Sequence, residues 1–104
     1  MTVQQQLRGT GVALVTPFAK DGSIDFTALG KVIDHVINGG VDYLITLGTT
    51  GETPTLTKEE KIAVIEFTFS HTAGRLPIIV GVGGNNTAEV VSDLQKLPLD
   101  KAVA

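Results

Sequence analysis

Two threonines side by side, Thr49 and Thr50, stand between Gly48 and Gly51 in the stretch LGTTGETPTLTKEE, residues 47–60. A threonine hydroxyl donates and accepts a hydrogen bond without changing charge, so such a pair can pass a proton or hold a small carboxylate. Flanking glycines permit φ > 0 and let the main chain approach a ligand, while successive amides can form an anion-binding concavity. The same residue types favour turns and caps for purely local reasons, and local chemistry alone leaves both readings open. A nucleotide-type phosphate cradle is disfavoured, because no Gly-Lys-Ser/Thr follows.

Other reactive groups are sparse. His35 and His71 fall on separate predicted helices without metal-ligand spacing and read as exposed or interfacial side chains. There is no cysteine, so thiolate metal sites and disulfides are excluded. Lys31, Lys58, Lys61 and Lys96 fall on predicted helices, and Lys20 beside Asp21 reads as a solvated turn residue. Glu59 and Glu60 suit the first turn of a helix through its dipole. Glu52 is read as structural, its carboxylate either holding the loop through main-chain amides or simply solvated.

The elements that would position the threonines follow from period. Three short apolar runs, Val12 to Val15, Tyr43 to Leu47, and Ile78 to Val80 with Val82, do not alternate with polar residues. Each predicts a strand covered on both faces, as in parallel sheets. Between them the period changes to that of a helix. Phe26, Leu29, Val32, Ile33, Val36 and Ile37 share one face, with Asp25 to cap it and Gly39-Gly40 to end it. Thr57 and Glu60 form a capping box, followed by an inner stripe of Ile62, Ile65 and Phe69, with Gly74 as the stop. A third helix is predicted from about Thr87 to Leu97, carrying Val90, Val91 and Leu94, and Lys101 to Ala104 reads as the start of a further strand.

The order strand, helix, strand, helix, strand, helix suits repeated right-handed βαβ units. A closed (β/α)₈ barrel and an open doubly wound sheet both take this pattern, and both bind ligands on the loops after the strands. The loop at 48–54 is such a loop. A barrel needs about 250 residues; the 104 residues here make one modest domain. Composition is that of a soluble globular protein, 42% hydrophobic and 18% charged with net charge −3, giving no electrostatic reason to expect nucleic acid. Neither a signal-peptide core nor an apolar run of membrane-spanning length is present, and a cytosolic location is the default expectation.

Gly48-Thr-Thr-Gly-Glu52, with Thr55-Leu56 and Glu60 beyond it, resembles the signature of the dihydrodipicolinate synthase and N-acetylneuraminate lyase family. GVALVTPFAKDGSID in the first unit and GRLPIIVGVGGNNTAE in the third agree, so the resemblance runs from Gly9 to Ala104. It implies the N-terminal part of a TIM (β/α)₈ barrel, about three βα units and the start of a fourth strand. Residues 1–104 would then be one portion of a single barrel domain, truncated at its C-terminal end. The activity implied is that of a class I aldolase-type lyase, in which a lysine forms a Schiff base with pyruvate and no cofactor or metal is used. The Gly-Thr-Thr-Gly-Glu form fits the synthases, which condense pyruvate with aspartate semialdehyde in lysine and diaminopimelate biosynthesis, whereas the sialic acid lyases usually carry serine where Thr49 stands.

By position, the resemblance makes Thr49 a member of a proton relay with two tyrosines, and makes Thr50 a holder of the pyruvate carboxylate. It further implies a homo-oligomer, a tetramer for the full-length enzyme. In many bacterial synthases lysine inhibits from a site between subunits. The matching residues are Pro54, Lys58, Lys61, Asn85 and Glu89, of which Asn85 and Glu89 keep the pattern. Sensitive enzymes usually carry histidine where Lys58 and Lys61 stand, so weak lysine inhibition is expected; Asn85 equally suits a helix cap.

The family's Schiff-base lysine lies on a later strand, and no lysine here replaces it, because a nucleophilic amine needs a desolvated or cationic setting at the site. The relay tyrosines are absent too: Tyr43, the sole tyrosine, opens its strand at the end away from the loop. The chain alone is therefore expected to be inactive. A sister pyruvate-dependent aldolase, a non-catalytic partial barrel and an open-sheet nucleotide-binding domain are the alternatives.

Overall fold

Three short apolar runs pair in chain order because each is followed by a helix that returns the chain to the same end of the sheet. The computed structural model describes residues 2–83 and 86–104, with the side chains of Thr49 and Thr53 outside that description. Strands β1 (Gly11–Ala13), β2 (Tyr43–Thr46) and β3 (Ile78–Val80) form one parallel sheet in the order β1-β2-β3. Register sets Val12 beside Leu44 and Leu44 beside Ile78, and in the next row Ala13 beside Ile45 and Ile45 beside Ile79. Beyond β3 the ladder continues: Val103 N donates to Ile78 O at 3.0 Å and Val80 N to Ala104 O at 3.0 Å. The end of the chain thus lies where the sequence predicts a further strand.

Helix α2 (Phe26–Asn38) begins at Asp25, whose Oδ1 accepts from Ala28 N at 2.9 Å, and ends at Gly39, with Gly40 at φ 87°. Helix α3 (Lys58–Thr72) opens on the predicted capping box: Thr57 Oγ1 accepts from Glu60 N at 3.1 Å and Glu60 Oε1 accepts from Thr57 N at 2.8 Å. It closes through left-handed Ala73 and Gly74. A one-turn helix, α1 (Val3–Gln6), precedes the sheet and was not anticipated from sequence; Thr2 and Gln5 form its own capping box. The core lies between the helices and one face of the sheet, where Leu14, Leu44, Ile78 and Val80 meet Leu29, Ile33, Val64 and Ile65. Each such side chain contributes about 1.5–3 kcal/mol on burial.

Two helical stripes differ from expectation. On α3 the buried residues are Val64, Ile65, Thr68 and Thr72, while Ile62 and Phe69 are only half-buried at the margin. Thr68 can occupy the interior because its hydroxyl donates to Val64 O at 2.7 Å. On α4 (Thr87–Lys96) the expected inner residues Val91 and Leu94 are exposed, Val90 is half-buried, and Asp93 is buried instead. The cause is ionic: Asp93 lies 3.8 Å from Lys58 Nζ and 3.5 Å from Lys61 Nζ, on the first turns of α3. That attachment turns α4 so that its apolar pair faces away from the core. Among the described residues, no helix is long and apolar enough to cross a membrane.

Candidate active site at the strand ends

The residues following all three strands converge at one end of the sheet. Leu14 N donates to Ile45 O at 2.8 Å and Gly81 N to Thr46 O at 2.8 Å, which ties the segments after β1 and β3 to β2. Past β2 the chain turns sharply at Leu47, a buried leucine at φ 59°. A 3₁₀ turn, Thr49–Gly51, follows and is closed by Gly51 N donating to Gly48 O at 2.9 Å. Then comes left-handed Glu52 at φ 58° and a second 3₁₀ turn, Thr53–Thr55. Two non-glycine residues in the left-handed region therefore bracket the Gly48–Gly51 segment. Each costs on the order of 1 kcal/mol, and such strain persists only where the surroundings enforce it.

Those surroundings are identifiable. A side chain on Gly81 would place its Cβ 2.6 Å from the Leu47 carbonyl oxygen, so the absence of one lets β3 run directly under the turn. Gly51 is buried with its Cβ position 3.1 Å from Thr16 Oγ1 and 3.3 Å from the Leu14 carbonyl oxygen. Thr16, itself buried, thus backs the loop from the end of β1. Thr16 is not among the site residues expected from the sequence. The signal that could have found it is its place on the Leu14 face of β1, on the same strand-end rim as the loop.

Of the sequence-predicted site residues, Thr50 is exposed on this rim. Thr49 has its main chain in the first 3₁₀ turn, and its side chain is outside the described set. Asn85 lies outside the described residues; the cap of α4 is the neighbouring Asn86, whose Oδ1 accepts from Ala88 N and Glu89 N at 3.1 and 3.3 Å. Glu89 is exposed in the first turn of α4. The Glu52 carbonyl accepts from Thr55 N at 2.9 Å and from Thr55 Oγ1 at 2.8 Å. Tyr43 packs its ring across Gly11 at the opposite end of the strands. A cavity of about 470 Å³ is also at that far end, lined by Phe69, Arg75, Leu76, Ile78, Lys101 and Val103.

Elsewhere the charges are structural. His71 Nε2 meets Asp34 Oδ1 at 3.0 Å and stacks on Phe67, so it joins α3 to α2. The His71 hydrogen bond lowers the Asp34 pKa below its ordinary value, with Arg75 assisting. Asp21 is lowered likewise by its bonds to Ser23 in the turn after β1. Among the described residues, no group of three or more His, Cys, Asp or Glu could hold a metal ion.

The sequence and the fold are both matched in known proteins. The pattern of the Dihydrodipicolinate synthetase family covers residues 6–98. The chain belongs to that family. A 4-hydroxy-tetrahydrodipicolinate synthase from Parabacteroides distasonis is 54% identical over 89 residues, covering 86% of this chain and 30% of its own length. Among solved structures, the dihydrodipicolinate synthase of Aquifex aeolicus superposes with a TM-score of 0.75 at 49% identity, covering 81% of this chain and 28% of that one. The chloride-inhibited synthase of Acinetobacter baumannii, complexed with pyruvate, gives 0.76 at 40% identity over 81% and 29%. The fold is accordingly the N-terminal part of a TIM (β/α)₈ barrel, as the sequence predicts. The chain spans about a third of the length of the relatives it matches.

Proposed function

We propose that these residues are part of a 4-hydroxy-tetrahydrodipicolinate synthase, a class I lyase that condenses pyruvate, held as a lysine Schiff base, with aspartate semialdehyde. The observation that carries the reading is the Gly48–Gly51 loop, strained at both ends and set on the rim where the three strands finish. In this reading Thr49 passes a proton at the Schiff-base carbon chain, and Thr50 with the adjacent amides binds the pyruvate carboxylate. Hydroxyls suit both tasks, since they exchange protons without leaving a buried charge. The Schiff-base lysine and the relay tyrosines are supplied by later strands, in a homo-oligomer, and residues 1–104 alone do not turn over. Lysine inhibition is weak, because Asp93 offsets only one of the two ammonium groups of Lys58 and Lys61.

The test is a hybrid in which residues 1–104 replace the matching segment of the Aquifex aeolicus synthase. Turnover that needs both pyruvate and aspartate semialdehyde supports the reading. Within the hybrid, Thr49→Val should lower kcat by about 100-fold or more, and Thr50→Val should chiefly raise the KM for pyruvate. A folded hybrid without turnover, or one indifferent to Thr49→Val, overturns it.

A further inference from the structure

Between β2 and α3 the chain is pinned at Leu47, Gly51 and Leu56, which are buried, while Thr50 beside Gly51 is exposed. Leu47 rests over Gly81, and Leu56 belongs to the hydrophobic core. Of these pins Gly51 alone adjoins Thr50. The height at which Thr50 stands on the rim is therefore set by what Gly51 touches.

Both groups that Gly51 touches belong to the segment at the end of β1. A Cβ on Gly51 would lie 3.1 Å from Thr16 Oγ1 and 3.3 Å from the Leu14 carbonyl oxygen. Leu14 is itself fixed, its N–H donating to Ile45 O at 2.8 Å. Thr16 is 4% exposed, and a buried β-branched side chain has little χ1 freedom, so its oxygen is a stop that cannot swing aside. Size matters at such a contact. A hydroxyl oxygen is smaller than a methyl group, so threonine fits against Gly51 where its near-isostere valine would press the glycine outward.

We propose that Thr16 is a positioning residue for the reaction: its hydroxyl oxygen is the stop on which Gly51 sits, and it thereby sets where Thr50 meets the carboxylate of the keto acid. Thr16 acts through Gly51 and does not itself touch the substrate. The contact between Thr16 and Gly51 rests on the fold; its consequence for the keto acid rests in addition on the role proposed above for Thr50.

The experiment has two arms. In the hybrid synthase described above, Thr16→Val is expected to raise the KM for pyruvate about tenfold with kcat nearly unchanged, because a displaced carboxylate holder costs binding. Thr16→Ser keeps the oxygen and should leave that KM within about twofold. Gly51→Ala should also raise the KM, and Thr16→Ala added to it should lower the KM again by making space for the new Cβ. That relief is partial, since the Leu14 carbonyl oxygen remains. The second arm reads the contact without turnover, by urea unfolding of the 104-residue chain. Thr16→Ala and Gly51→Ala together should lower the midpoint by less than their separate losses added, as residues in contact do. Valine and serine variants with the same KM, a Gly51→Ala defect that Thr16→Ala does not relieve, or additive losses in urea would each overturn the proposal. Coupled losses in urea beside a parent hybrid that does not turn over support the Thr16–Gly51 contact and count against the proposed function alone.

Discussion

Gly81 runs so close beneath Leu47 that a methyl group on it would sit 2.6 Å from the Leu47 carbonyl oxygen and 2.9 Å from its carbonyl carbon. Both contacts are main chain, so neither can swing aside as a side-chain end would. Gly81→Ala must therefore push the turn off the rim. The expected cost is about 1–3 kcal/mol, read as a lower urea midpoint. Gly51→Ala, which meets Thr16 Oγ1 at 3.1 Å, should cost less. Equal effects of the two would contradict this ordering.

Thr72, fully buried at the end of α3, carries a hydroxyl that finds no hydrogen-bond partner among the described residues. Thr72→Val removes an unsatisfied group at nearly constant volume and is expected to stabilise the chain by about 1 kcal/mol. A lower melting temperature for Thr72→Val would show that the hydroxyl is in use.

The attachment of α4 to α3 is unequal in its two arms. Lys61 is 17% exposed at its side chain and Lys58 is 40% exposed. Lys58→Ala should change stability by less than about 0.5 kcal/mol, as exposed ion pairs do. Asp93→Ala leaves Lys61 half-buried without its partner and should cost about 1–2 kcal/mol. Denaturant titration of the two variants checks the ranking.

Asp34 sets an acid dependence. Its pKa is lowered in the folded chain, chiefly by the hydrogen bond to His71, from an ordinary value of 3.8. A carboxylate with a lowered native pKa binds fewer protons folded than unfolded, so its stabilisation is complete above that ordinary value. It is lost as pH falls through the lowered native one. Asp34→Asn should flatten the stability profile in the acid range where the folded carboxylate takes up its proton. A parallel displacement of the whole profile would assign Asp34 a role other than its charge.

Much of this architecture was legible because local and global signals agree. Asp25, Thr57 and Glu60 cap the helices that they predict, and the three apolar runs pair in order. The turn to an apolar exterior on α4 was not legible, since it depends on Asp93 meeting two lysines 35 and 32 positions earlier in the chain. Periodicity ranks side chains by polarity and cannot see such a pairing. At the rim, glycine and threonine types announced a loop capable of binding. What holds that loop, Gly81 under Leu47 and Thr16 behind Gly51, is a matter of close approach between strands and leaves no pattern along one strand.

Spatial neighbours in this sheet are also successive neighbours in the chain, from β1 through β3 to the pairing of Val103 and Ala104. As the polypeptide leaves the ribosome, every new strand meets a template that has already been made. Assembly can then proceed from the N-terminus by accretion, and the fragile period is short for each strand except the first, whose outer side waits longest for company.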